Sequence, residues 1–82
     1  MVTVSFFAVL RERVGTLSIQ FELNQIATTG ELFESLVEKY PVLEDFRGTL
    51  LISVNEHYAG WDAPINSGDA IGLFPPVSGG TL

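Results

Sequence analysis

The chain contains no cysteine. A disulfide framework, a thiolate metal site and a cysteine nucleophile are therefore excluded, and the composition suits a reducing cytoplasm, the expected location. Basic residues are scarce: four Lys and Arg stand against ten Asp and Glu, a formal net charge of −6. Phosphate backbones are held by clusters of Lys and Arg, so nucleic acid is not an expected partner. An acidic domain of this size is suited to basic protein surfaces, its field speeding encounter. No apolar run approaches the roughly 20 residues of a membrane-spanning helix, and residues 1–8 alternate instead of forming a leader, so no membrane association is expected. Repeats, linkers and low-complexity segments are absent as well. The lone histidine, His57, falls in a predicted turn beside Glu56 and reads as solvated. Glu44 and Asp45 are adjacent carboxylates without the second cluster that a metal site needs. No metal and no bound cofactor are expected.

What is present is an apolar fraction of 46% in 82 residues, enough for one domain with one dense core. Such a chain buries only about 60–65% of the surface its unfolded form exposes. Val2, Val4 and Phe6 alternate with Thr3, Ser5 and Phe7, a strand of period two with Phe7 on the face opposite Val4 and Phe6. Residues 8–14 break that alternation and end at Gly15, which predicts a short helical turn with a glycine stop. Leu17, Ile19, Phe21 and Leu23 alternate again and predict a strand paired with the first as a hairpin. Arg11 and Glu12 fit a partner contact and a solvated turn equally well.

Thr28 stands three residues before Glu31, the spacing of a capping box. Beyond it Leu32, Phe33, Leu36, Val37 and Tyr40 fall within an arc of about 140° at about 100° per residue, and Pro41 ends that helix. Residues 44–48 carry no second capping signal and read as a loop. Residues 50–54 read as a strand, 55–60 as a turn, and 61–65 as a short extended piece in which Trp61 is a packing anchor. Asn66, Ser67, Gly68 and Asp69 mark a turn before a last strand over 70–74. One helix of about three turns cannot cover both faces of a sheet. The expected fold is α+β, two layers, a β-grasp (ubiquitin-like) mixed sheet wrapped on one main helix. The expected division is a domain over residues 1–75 and an extended tail over 76–82.

The tail has its own chemistry. Pro75 and Pro76 fix φ and favour an extended path. Val77 and Ser78 follow, and Gly79 and Gly80 have no Cβ, so their backbone can enter a channel too narrow for other residues. A glycine carboxylate is sterically open, able to attack the α-phosphate of ATP and then to yield its acyl carbon to a nucleophile. A Gly pair alone more often marks nothing beyond a loose end; the stiff spacer and the β-grasp pattern turn the balance.

The stretch Val4-Ser5-Phe6-Phe7-Ala8-Val9-Leu10-Arg11-Glu12 with Gly15, the triplet Ser53-Val54-Asn55, and the run from Ser67-Gly68-Asp69 through Phe74-Pro75-Pro76-Val77-Ser78-Gly79-Gly80 resemble the MoaD/ThiS family of ubiquitin-like sulfur carriers. Within it they are similar to the small subunits of molybdopterin synthase. The resemblance runs from Val2 to Gly80, and the final motif is the most specific part. It implies that an adenylating enzyme of ubiquitin-activating type uses ATP to activate the Gly80 carboxylate. A persulfide sulfur then replaces AMP to leave a thiocarboxylate. The loaded tail delivers sulfur to a cyclic pyranopterin in the molybdopterin synthase large subunit, building the dithiolene of the molybdenum cofactor, and a two-plus-two heterotetramer is implied. The carrier itself supplies no general acid or base. Phe7, Tyr58 and Phe74 match partner-facing positions, with Phe74 favoured as a contact and Tyr58 equally well explained as surface filling.

One departure stands out. Members of this type end at the second glycine, whereas here Thr81 and Leu82 follow, so Gly80 carries an amide carbonyl that cannot be adenylated. Removal of Thr81 and Leu82 by a processing peptidase is the favoured expectation. A divergent, non-catalytic ubiquitin-like interaction or conjugation module is one alternative and a sequence artefact another; a thiamine-type sulfur carrier is the runner-up pathway.

Overall fold

The computed structural model describes residues 1–76. The chain runs β1 (Val2–Phe6), α1 (Val9–Val14), β2 (Ser18–Phe21), α2 (Thr29–Lys39), a 3₁₀ turn (Pro41–Phe46), β3 (Leu51–Val54), β4 (His57–Ala59) and β5 (Ala70–Phe74). The strands form one mixed sheet in the order β2-β1-β5-β3-β4. β1 pairs parallel with β5, and the remaining neighbours are antiparallel. This is the β-grasp arrangement, with α2 laid across one face.

Alternation decides which face α2 covers. Val2, Val4 and Phe6 point inward from β1, Ile52 from β3, and Ile71 and Leu73 from β5, all buried. Leu32, Phe33 and Leu36 of α2 meet them, with Val37 and Tyr40 at the margin. The Tyr40 ring stands edge-on to Phe6, centroids 5.8 Å apart.

Local signals fix the helix ends. Thr28 Oγ1 accepts from the Glu31 amide at 3.3 Å while Glu31 Oε1 accepts from the amides of Thr28 and Ala27 at 3.3 and 2.7 Å, a closed capping box. Gly15 ends α1 at φ 93°, its amide donating to the Arg11 carbonyl.

Three segments depart from the sequence expectation. Residues 44–46, expected in a loop, belong to the 3₁₀ turn, which starts with Pro41 at its first position and buries Leu43 completely. A turn this short needs no side-chain cap once one leucine is sunk in the core. The turn expected over 55–60 is confined to Asn55 and Glu56, and His57–Ala59 pairs with β3 as Val54↔His57 and Ile52↔Ala59. Asn55 and Glu56 have φ of 51° and 72°, the positive values that a primed two-residue hairpin turn requires. Residues 61–65 form no strand and make a single bridge, Thr28↔Pro64. Two of their carbonyls instead serve the start of α2, Trp61 O accepting from Gly30 N at 2.8 Å and Ala63 O from Thr29 N at 2.9 Å, and the preceding Gly60 O accepts from Thr29 Oγ1 at 2.7 Å. Amides at a helix start lack partners within the helix, and this seam supplies them. Trp61 packs edge-on against Phe33, centroids 5.3 Å apart.

Asn55 ties the far end of the sheet together. Its Nδ2 donates to Asp69 Oδ1 at 3.0 Å, its Oδ1 accepts from Ala70 N at 2.9 Å, and its own amide donates to the Ala70 carbonyl at 2.7 Å. Asp69 Oδ2 also accepts from Asn66 N at 2.8 Å, closing the 66–69 turn that feeds β5.

Candidate docking site at the root of the tail

The sheet face turned away from α2 is organised by register. Ser5 pairs with Gly72, Gly72 with Ser53, and Ser53 with Tyr58, so one row of outward residues crosses four strands. Phe74 lies on this face at the end of β5 and is followed by Pro75 and Pro76.

Phe7 joins it from the other side. Its amide donates to the Leu73 carbonyl at 3.2 Å, extending the parallel ladder by one residue. Ala8 then turns the chain into α1 with φ 54° and ψ −131°, a conformation more natural to glycine. The Phe7 ring lies parallel to Phe74 at 4.4 Å with 3° between planes, and Tyr58 stands edge-on to Phe74 at 5.7 Å. Tyr58 is 71% exposed and Phe7 37%. Phe7, Tyr58 and Phe74 are thus one contiguous aromatic patch at the C-terminal end of β5.

Sequence reasoning missed the floor of this patch. A Cβ on Gly72 would lie 2.7 Å from Ser53 Oγ, 3.0 Å from Phe74 Cε1 and 3.2 Å from Phe7 Cε2. The rings can lie over β5 only because this residue has no side chain. The available signal was a glycine inside a strand, which marks a weak point or a close approach. Around Gly72 the face is hollowed into a recess of about 430 Å³, whose lining includes Phe7, Ser53, Glu56, Tyr58 and Phe74.

The other candidates lie elsewhere. His57 is exposed on β4, its Nδ1 3.1 Å from the Asn55 carbonyl. Glu44 and Glu34 clamp Arg47: Glu34 Oε2 and Oε1 accept from Nη1 and Nη2 at 2.6 and 2.9 Å, and Glu44 Oε2 accepts from Nε at 2.8 Å. Hydrogen bonding to Arg47 holds both carboxyls below their ordinary range. Asp45 pairs with Arg13 at 3.1 Å. Arg11 and Glu12 sit on the exposed side of α1. No group of three His, Cys, Asp or Glu side chains capable of holding a metal occurs among the described residues. None of the helices described is long and apolar enough to cross a membrane. The site expectations for Val77, Ser78, Gly79 and Gly80, and the question of Thr81 and Leu82, lie outside the described residues.

The patch offers apolar contact area, and no paired acid–base groups lie on it among the described residues. Comparison with known proteins identifies the group to which this design belongs. The model of the ThiS family matches residues 4–80. The chain belongs to the ThiS family. Among curated relatives, the molybdopterin synthase sulfur carrier subunit of Haemophilus influenzae is 37% identical over 82 residues, 98% of this chain and 100% of that protein. Among solved structures, small archaeal modifier protein 1 of Haloferax volcanii superposes with a TM-score of 0.82 at 26% identity, covering 93% of this chain and 97% of that one. A chain of the protein–protein complex of subunits 1 and 2 of the molybdopterin-converting factor of Helicobacter pylori superposes with a TM-score of 0.67 at 26% identity, covering 96% of this chain and 97% of that one. The ThiS-family fold is therefore the β-grasp fold expected from the sequence.

Proposed function

We propose that this ThiS-family chain is the sulfur carrier subunit of a molybdopterin synthase, working in the cytoplasm and carrying sulfur on Gly80. The observation that carries the reading is the continuity of β5 with the motif: the aromatic patch of Phe7, Tyr58 and Phe74 passes directly into Pro75, Pro76, Val77, Ser78, Gly79 and Gly80. A docking surface placed at the root of a stiff tail lets one partner hold the domain while the glycine end reaches a distant reaction centre.

The chemistry begins with peptide-bond cleavage after Gly80, which frees a carboxylate. Its oxygen attacks the α-phosphorus of ATP on an adenylating enzyme, releasing pyrophosphate. The terminal sulfur of a persulfide then attacks the acyl carbon and AMP leaves; cleavage of the resulting S–S bond by a thiol leaves the thiocarboxylate. After sulfur moves to the pterin, water restores the carboxylate. The large subunit as partner is supported by the Helicobacter pylori complex and the Haemophilus influenzae relative. ATP is a substrate of the activating enzyme, not a ligand of this chain.

Likeness to a small archaeal modifier protein supports a second reading, a conjugation or interaction module. Intact-mass measurement of the protein from its own cells, with and without a thiol-reactive alkylating reagent, tests the proposal. Mass ending at Gly80, with an alkylatable fraction in which one oxygen is replaced by sulfur, is the expected result. A mass retaining residues beyond Gly80 with no alkylation would refute it. In a chain ending at residue 80, Gly80→Ala should depress loading by the activating enzyme, and normal loading would count against the tail mechanism.

A further inference from the structure

We propose that the recess beside Gly72 seats one basic side chain, Lys or Arg, of a partner protein, its methylene stem along Phe74 and Tyr58 and its charged head at Glu56. The proposal deepens the docking role assigned above and rests on it for the partner's identity, though not for the site itself.

Four observations converge. The recess is lined by Phe7, Tyr58 and Phe74, with the rings of Phe7 and Phe74 closed over Gly72, and this aromatic lining suits an unbranched aliphatic stem. Lys and Arg present that stem below a charged head, and a cation beside aromatic rings gains further attraction. Among the described residues, Glu56 is the single charged one lining the recess. It also occupies a hairpin position at φ 72°, where glycine would sit with less strain. Retaining a carboxylate at a strained position beside a concave surface points to use of that carboxylate. Finally, a domain of net charge −6 draws basic surfaces toward it, so a basic side chain is the occupant that arrives most often.

The test is an NMR titration of the ¹⁵N-labelled chain with N-acetyl-lysine N-methylamide and with its uncharged counterpart, N-acetyl-norleucine N-methylamide. The lysine probe should shift the amides of Gly72, Glu56 and Tyr58 in a saturable way. It should bind about threefold more tightly than the norleucine probe, a gap in the range of an exposed ion pair. Glu56→Gln, on an exposed turn, should bring lysine down to the norleucine level, and added salt should do the same. Shifts scattered away from the recess, equal binding of the two probes, or an unchanged lysine affinity in Glu56→Gln would each overturn the proposal. A parallel binding measurement with a molybdopterin synthase large subunit separates the two readings. If lysine is seated while the large subunit does not bind, the recess stands and the functional assignment fails. If the large subunit binds while lysine does not localise, the assignment stands and the recess proposal fails.

Discussion

Filling the floor of the aromatic patch should disturb the fold by a calculable amount. In Gly72→Ala the new Cβ falls 2.7 Å from Ser53 Oγ, inside any real contact distance, and 3.0 and 3.2 Å from the rings of Phe74 and Phe7. Overpacking of this kind costs about 1–3 kcal/mol. Replacing glycine within a strand returns about 0.5–1 kcal/mol through the unfolded state, which leaves about 0–2.5 kcal/mol, and the 2.7 Å contact places the net loss in the upper part of that range, about 1–2 kcal/mol. At about 4–8 °C per kcal/mol for a domain of this size, Tm should fall by about 5–15 °C. The worst contact belongs to Ser53, which is 7% exposed and has little room to turn away. Ser53→Ala removes that oxygen and leaves only the ring contacts, which relax by a few tenths of an ångström. The double variant should therefore recover about 1 kcal/mol relative to the sum of the single changes, measured as a double-mutant cycle from thermal or urea melts. Additive effects, or a Gly72→Ala protein as stable as the parent, would refute the idea that this glycine is required by the rings and the serine above it.

Other positions give independent checks. Gly30→Ala places a Cβ 2.6 Å from the Trp61 carbonyl oxygen, a backbone atom held by a hydrogen bond, so urea melts should show a loss of about 2–3 kcal/mol with little change in slope. Ala8→Gly should raise stability by about 1 kcal/mol by relieving the φ 54° strain, seen as a higher denaturation midpoint. Glu34 and Glu44 titrate below their ordinary value of 4.5 in the folded state. Their contribution is therefore complete above that value and is lost as pH falls through the lower folded values. In Arg47→Gln both carboxyls should return toward the ordinary value in an NMR titration, and stability should fall less between pH 7 and pH 3 than in the parent.

Much of this architecture was legible in the sequence because its signals are local. The capping box at Thr28 and Glu31, the glycine stop at Gly15, the alternation of β1 and the turn at 66–69 each depend on residues within a few positions of one another. β4 was harder to see, because three residues are too few to show a period and its turn is carried by Asn55 with a glutamate where glycine is usual. Residues 61–65 have a strand-like composition, but their carbonyls are claimed by the amides at the start of α2, a long-range demand that no local pattern announces. The aromatic patch was named in the sequence only as separate residues, Phe7, Tyr58 and Phe74. Its floor at Gly72 and the neighbouring carboxylate of Glu56 appear only once register places residues from β1, β3, β4 and β5 side by side.

The position of β5 bears on how this protein responds to force. The strand that leads into the tail lies in the middle of the sheet, parallel to β1 on one side and antiparallel to β3 on the other. A pull on the tail runs along β5 and loads both ladders in shear, so their hydrogen bonds share the load and must fail together instead of opening one by one. Force applied beyond Phe74 thus falls on a strand that is hydrogen-bonded along both of its edges. In the proposed carrier function, work done on the end of the chain would be met by these two ladders together.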